Sequence, residues 1–235
     1  MIVKVCGLRE ADNIRDVVAL GVDWIGLIFW PQSPRYVKMV PSGAGIMPDR
    51  SSINNSQFTI NNSQFTINNS QLASCNLKRV GVFVDATAQD IITRVYSFGL
   101  DIVQLHGHET PTLIRNLRRT LGEGVKMMKA ISAKDATDIA ACKDYADCAD
   151  YFLFDTKCKT VGGSGRQFDW DVLQAYDGDV PFLLSGGIGP DDAPRVQHFH
   201  HDRCLGIDLN SRFESAPGVK DVALLRDFLR ELKRL

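Results

Sequence analysis

Short apolar runs alternate with longer stretches of helical periodicity from one end of the chain to the other. The runs are Ile2–Cys6, Trp24–Phe29, Arg79–Val84, Ile102–His106, Lys126–Ile131, Tyr151–Asp155, Pro181–Ser185 and Cys204–Leu209. Each is nearly continuous in apolar residues, as expected for strands covered on both faces, and so predicts a parallel sheet. Between them, apolar residues recur at helical spacing, as with Ala11, Ile14, Val17 and Val18 ahead of Gly21. The last such stretch sets Val222, Leu225, Phe228, Leu229 and Leu232 on one face, with Lys220, Asp221, Arg226, Asp227, Arg230 and Glu231 on the other. Strand then helix, eight times in 235 residues, predicts a single (β/α)8 barrel domain over 1–235, an architecture that typically takes about 250 residues. A doubly wound open sheet is the alternative, and eight units in so short a chain favour closure.

One stretch breaks the pattern. Ile53-Asn54-Asn55-Ser56-Gln57-Phe58-Thr59 recurs at 60–66 and, truncated, at 67–71. Its apolar residues fall at spacings of five and two, whereas a coiled-coil seam needs three and four. The repeat therefore reads as a polar, disordered insertion at about 50–74, occupying most of the place of the second helix. Only Pro41–Met47 is left as a start for that helix.

Composition narrows the function. With 27 Lys and Arg against 28 Asp and Glu, the chain lacks the basic excess that nucleic-acid binding demands. No apolar run approaches the ~18 to 20 residues that span a bilayer, so neither nucleic acid nor membrane is expected as a partner. The N-terminus lacks a basic segment followed by an apolar core, so the expected location is the cytoplasm. Cys6, Cys75, Cys142, Cys148, Cys158 and Cys204 contain no Cys-x-x-Cys pair and read as free thiols. His198-Phe199-His200-His201-Asp202 invites a metal reading, but it precedes the eighth strand, at the end of the barrel opposite the chemistry, and reads as a solvated loop. No metal site is expected.

Barrel active sites lie at the C-terminal ends of the strands. That rule selects Cys6-Gly7, the run Pro31–Tyr36, Gln104–Gly107, Asp155-Thr156 with Val161–Arg166, Ser185–Ile188 and Gly206–Ser211. The turns after strands six, seven and eight are rich in glycine and small residues. Glycine lets backbone N–H groups approach an anion, and the last two loops of such barrels often hold phosphate. A phosphorylated small-molecule substrate follows, against the plainer reading of glycines closing tight turns. Lys4 lies two residues before Cys6 on the same strand face and is expected to favour its thiolate.

These residues, in this order, resemble the phosphoribosylanthranilate isomerase family. The resemblance runs through Lys-Val-Cys-Gly-Leu at 4–8, Ser-Pro-Arg-Tyr-Val at 33–37, Val-Gly-Val-Phe-Val at 80–84, Val-Gln-Leu-His-Gly at 103–107, Phe-Asp-Thr at 154–156, Gly-Gly-Ser-Gly-Arg at 162–166, Ser-Gly-Gly-Ile at 185–188 and Pro-Gly-Val-Lys-Asp at 217–221. It implies a tryptophan-pathway isomerase that converts N-(5-phosphoribosyl)anthranilate to an aminodeoxyribulose phosphate by an Amadori rearrangement without cofactor. It also implies Cys6 as general base and Asp155 as general acid, with Arg35 facing the anthranilate carboxylate. His106, Gly163, Gly165, Gly186, Gly187, Asp208, Asn210 and Ser211 complete the expected substrate-binding set.

The residues themselves leave several alternatives open. Asp155 could instead pair with Lys4 or cap the next loop, Asp208 could neutralise Lys4, and His106 is either a positioning residue or a buried histidine bonded to backbone. An acid role for Asp155 calls for a raised pKa. Arg212 stands where the family usually carries glycine, and is read either as a further phosphate contact or as a solvated side chain. A phosphosugar lyase would show a catalytic lysine and glutamate at strand ends, and an epimerase a histidine-rich metal pocket. Neither array is visible. A non-catalytic scaffold would bind phosphate without turnover. The chain is expected to act as a monomer or homodimer.

Overall fold

The computed structural model describes residues 1–38, 58–60, 65–67, 77–133, 135–155 and 170–233. Its elements are β1 (Ile2–Cys6), α1 (Ala11–Val18), β2 (Trp24–Ile28), β3 (Phe58–Ile60), β4 (Phe65–Ile67), β5 (Lys78–Phe83), α2 (Ala88–Phe98), β6 (Ile102–Leu105), α3 (Pro111–Leu121), β7 (Lys126–Ser132), α4 (Ala136–Ala140), β8 (Tyr151–Asp155), β9 (Phe182–Leu184), α5 (Ala193–His198), β10 (Cys204–Leu209), β11 (Glu214–Ala216), β12 (Val219–Lys220) and α6 (Val222–Leu232). The eight predicted strands are all present, within two residues at either end, and close into a parallel barrel in the order β1-β10-β9-β8-β7-β6-β5-β2. Closure is made by β1, whose Ile2–Val5 pair with Gly206–Leu209 of the last barrel strand while Lys4–Cys6 pair with Trp24–Gly26.

The inside of the barrel is filled at its N-terminal end. Trp24, Val80, Ile102, Met128, Leu153 and Leu183 pack on one another there, and Trp24 meets Tyr151 edge-on at 5.3 Å between ring centres. A repeated carboxylate closes this end. Asp23, Asp101 and Asp150 each stand just before a strand and accept the N–H that starts the preceding one, Val3, Arg79 and Met127, at 2.8, 2.9 and 2.8 Å. Each bond satisfies a backbone donor that the ladder leaves open. The helices cover the outside, with stops and starts that the sequence dictates. Thr87 and Thr110 cap α2 and α3 through their side chains, Pro111 opens α3, and Gly99 ends α2 in the left-handed region.

The alternation of strand and helix is less regular than its eight-fold reading. After β8 the described part of the crossover, Trp170–Ala175, is a short 3-10 turn with Trp170 and Leu173 buried. The candidate helix start at Pro41–Met47 lies outside the described residues, as does most of the insertion. Within the insertion, Phe58–Ile60 and Phe65–Ile67 pair antiparallel, with Phe58 opposite Ile67, Thr59 opposite Thr66 and Ile60 opposite Phe65. The His198–Asp202 run lies where the sequence places it, ahead of β10. His198 Nδ1 sits 2.6 Å from Pro194 O and His201 Nε2 3.1 Å from Tyr176 O, both spent on backbone. Among the described residues no helix is long and apolar enough to cross a membrane.

Candidate active site

At the C-terminal end of the barrel the interior opens into a cavity of about 190 Å³. Cys6, Gln104, His106, Asp155, Ser185, Gly186, Gly187, Asp208, Asn210, Ser211 and Arg212 line it. Strand parity brings them together. Lys4 and Cys6, Gln104 and His106, Leu153 and Asp155, and Asp208 and Asn210 are i, i+2 pairs, so β1, β6, β8 and β10 each turn polar side chains into the cavity, while β2 and β5 line it with Ile28 and Val82.

The wall around Cys6 is a buried ionic network. Lys4, fully buried, donates to Asp208 Oδ1 at 2.9 Å, and Ser185 Oγ donates to Asp208 Oδ2 at 3.3 Å. A buried ammonium needs such a partner. Asp208 therefore neutralises Lys4, and the alternative pairing of Lys4 with Asp155 is not made. Burial pushes the Cys6 thiol above its ordinary range, although Lys4 and Lys220 both pull it down. Lys4 favours the thiolate, as the sequence reading expects, but the loss of water around a residue that is 3% exposed outweighs it. Lys4 keeps its proton: burial favours the neutral amine, yet Asp208 and then Cys6 hold its pKa above the usual lysine range.

Beside Cys6 the chain passes through Gly7 at φ +77°. A Cβ there would fall 2.6 Å from Asn210 Oδ1 and 2.7 Å from Arg35 Cδ, so both side chains cross directly over this residue. Arg35 reaches Glu214 through Nε, at 2.8 and 3.1 Å, and Nη2, at 2.6 Å. Lys220 Nζ joins the same carboxylate at 2.6 Å and Asn210 Oδ1 at 2.8 Å. Burial alone would lift the Glu214 pKa, but Arg35 and Lys220 overcome it and hold it below the usual carboxylate range. The same burial lowers Lys220, with Glu214 opposing. The bonds to Glu214 hold Arg35 above its ordinary value.

The opposite wall holds fewer ionisable side chains. Asp155 ends β8 with its Oδ2 3.1 Å from His106 Nε2, and His106 Nδ1 lies 3.2 Å from the Gln104 amide nitrogen. His106 is therefore bonded by side chains to the candidate acid, and the reading of a buried histidine held by backbone does not hold. Gln104 is buried, and its Oε1 has no protein partner among the described residues. Beneath the loop that follows, Lys129 donates to Glu109 Oε2 at 3.0 Å and to Gly107 O at 2.6 Å, while Gly107 N donates back to Glu109 Oε2 at 2.9 Å. This buried pair pins the backbone that carries His106.

The third side of the cavity carries Gly186 and Gly187 at φ +92° and +72°, followed by Ser211 and Arg212 beyond β10. Both values favour glycine, which lets the backbone N–H groups approach an anion closely. Arg212, the departure from the family pattern, extends over Gly189, where an added Cβ would lie 3.1 Å from Arg212 Nε. Its side chain lines the cavity. Of the sequence-predicted residues, Gly163 and Gly165 lie outside the described residues. Sequence reasoning gave no site role to Gln104, Ser185 or Glu214, and it set Lys220 on the polar face of the last helix, whereas Lys220 ends β12 ahead of that helix and is buried. No local signal marks Lys220 as a site residue; it lies in β12, between Pro217-Gly218 and the α6 cap Asp221.

The chain is similar to known proteins over nearly its whole length. A model of the N-(5'-phosphoribosyl)anthranilate (PRA) isomerase family matches residues 38–231. An N-(5'-phosphoribosyl)anthranilate isomerase of Parabacteroides distasonis is 40% identical over 232 residues, 99% of this chain and 93% of the relative. That of Phocaeicola vulgatus is 40% identical over 234 residues, 100% and 98%. Among solved structures, monomers generated from the dimeric phosphoribosylanthranilate isomerase of Thermotoga maritima superpose with a TM-score of 0.71 at 25% identity over the whole of both chains. A phosphoribosylanthranilate isomerase in complex with reduced 1-(o-carboxyphenylamino)-1-deoxyribulose 5-phosphate superposes with a TM-score of 0.72 at 25% identity, again over the whole of both chains.

Proposed function

The chain belongs to the N-(5'-phosphoribosyl)anthranilate isomerase family and is an isomerase of tryptophan biosynthesis acting on a phosphorylated small molecule, and from that premise we propose that Cys6 and Asp155 carry the proton transfers. The observation that supports this reading is their convergence. They end β1 and β8, three places apart around the closed barrel, and line one cavity together. Asp155 protonates the furanose ring oxygen as the anilino nitrogen pushes open the C1–O bond, giving a protonated Schiff base. Cys6 then removes the C2 proton, the electron pair forms the C1=C2 bond of an enolamine, and tautomerisation moves a proton to C1 and leaves the C2 ketone. No atom is gained or lost.

The remaining assignments follow charge. Gly186 and Gly187 with Ser211 and Arg212 take the phosphate, because a guanidinium beside a pair of backbone donors is matched to a dianion. Arg35 takes the anthranilate carboxylate. The product analogue held by the crystallised relative carries both groups. His106 holds Asp155, and Asp208 with Asn210 frames Cys6. The setting that suits such chemistry is the cytoplasm, and light scattering decides between monomer and homodimer.

The test is the fluorescence time course of freshly prepared N-(5'-phosphoribosyl)anthranilate with the wild type, Cys6→Ser and Asp155→Asn, corrected for spontaneous breakdown. The wild type consumes the substrate with the ketose as product, and each variant falls in kcat by roughly 10²- to 10⁴-fold. Unchanged turnover in either variant would remove that residue from the mechanism.

A further inference from the structure

The ionic cluster beside Cys6 holds one more positive charge than its own partners cancel. Lys4 and Asp208 form a matched pair. Arg35 and Lys220 share the single carboxylate Glu214, at 2.6 Å each, with Glu214 5% exposed and the Lys220 side chain fully buried. Two cations facing one buried anion, one of them fully buried and the other 19% exposed, is an expensive arrangement unless a further anion completes it.

The cluster is mounted as though its geometry matters. The Lys220 backbone is read in both directions by Asn13 of α1, which accepts from its N–H at 2.7 Å and donates to its C=O at 2.8 Å. Its Nζ is aimed by Asn210 Oδ1 at 2.8 Å as well as by Glu214. The next residue, Asp221, caps α6 by accepting from Leu224 N at 3.0 Å, so the lysine is clamped between two helices. Glu214 in turn accepts from Gly218 N at 3.2 Å. It occupies the Nε and Nη2 edge of Arg35. A guanidinium has a second fork, formed by Nη1 and the other Nη2 hydrogen, and this is the geometry that receives a carboxylate in two parallel bonds.

We propose that Glu214 and Lys220 are positioning residues for the carboxylate of the substrate: Glu214 holds Arg35 by one edge so that the other is presented to the ligand, and Lys220 supplies the unmatched positive charge that the ligand's carboxylate cancels. The inference rests on the substrate class of the preceding section and extends it to two side chains that need not touch the substrate. It also explains why a lysine is tolerated in a fully buried place. The cluster is one anion short of neutral in the free protein, and complete in the complex.

The experiment measures binding, by calorimetry, of the reduced product analogue and of its counterpart with a carboxamide in place of the carboxylate. Wild type, Lys220→Met, Lys220→Arg and Glu214→Gln are compared after matching their circular dichroism. The wild type prefers the carboxylate. In Lys220→Met that preference falls about tenfold while the carboxamide binds as before, and Lys220→Arg restores most of it. Glu214→Gln separates charge from aim, because it adds net positive charge while loosening Arg35. The carboxylate preference falls there too, and a rise would overturn the positioning role. A structural role alone would weaken both ligands equally. An unchanged ratio in Lys220→Met, or in Glu214→Gln should the methionine variant not fold, would overturn the inference. If the wild type bound neither compound, the substrate reading would fall first.

Discussion

On the β1 side of the cavity five charged side chains, Lys4, Asp208, Arg35, Glu214 and Lys220, crowd around one buried thiol. On the β8 side a quarter-exposed carboxylate meets a single histidine, itself held by a neutral amide. The difference follows from what each group is asked to do. A buried thiol resists ionisation, so a base built on Cys6 needs fixed positive charge within reach, and positive charge that cannot escape to water needs its own counter-ions. A carboxylic acid that faces the ligand needs only a donor to hold one oxygen, leaving the other for the substrate. The costly side is the one that must work against its own burial.

The comparison is broken most severely by removing the two reacting groups. Cys6→Ser and Asp155→Asn are each expected to lower kcat by roughly 10²- to 10⁴-fold with KM little changed, because both act in the transition states and not in holding substrate. Steady-state kinetics checks the split, and a variant that raised KM alone would belong to binding. Next in size is stability. Asp208→Ala leaves Lys4 fully buried without its carboxylate and should cost about 3 to 5 kcal/mol, read by urea unfolding, while His106→Ala on the other wall should cost less than about 1.5 kcal/mol. Equal losses would mean that the two walls are not built differently.

The pH dependence sharpens the same contrast. The rearrangement needs the Cys6 thiolate, and burial places its pKa above the ordinary thiol range. The logarithm of kcat/KM should therefore climb with pH through an alkaline limb set by Cys6. Lys220 pulls that pKa down, so Lys220→Met should move the limb to still higher pH. A shift to lower pH, or none, would separate Lys220 from Cys6 electrostatically.

How much of this was legible in the residues follows the same division. Strands read as apolar runs because both faces of a parallel barrel are buried, so β1, β8 and β10 match the sequence reading end to end. Cys6, Asp155 and Asp208 were legible as cavity positions because parity and strand ends locate them, while Arg35 was picked out only by the resemblance to the family. The β11–β12 hairpin was not, since Glu214–Ala216 and Val219–Lys220 are too short to carry a period. The role of Lys220 and Glu214 was invisible for a further reason. Their meaning is a three-body charge balance with Arg35, 179 positions away from Glu214 along the chain, and no local pattern encodes it. The rise in the Cys6 pKa was missed likewise, because a sequence displays the neighbouring lysine but not the missing water.

The smallest expected effect tests how the acid is aimed. With the Gln104 amide nitrogen assigned as donor to His106 Nδ1, at 3.2 Å, the histidine hydrogen resides on Nε2 and points at Asp155 Oδ2, 3.1 Å away. Oδ2 is then an acceptor in this arrangement, and the acidic hydrogen of Asp155 is confined to Oδ1. Gln104→Leu removes the donor and frees the imidazole to adopt either tautomer while leaving its Asp155 contact in place. Loss of one neutral hydrogen bond is worth about 0.5 to 1.5 kcal/mol, or roughly two- to tenfold in kcat if it is felt only in the transition state. His106→Asn, which removes the ring itself, should fall further than Gln104→Leu and show no additional loss when the two are combined. Additive losses in the double variant would mean that glutamine and histidine act on the reaction separately, and the ordered chain from Gln104 to Asp155 would have to be abandoned.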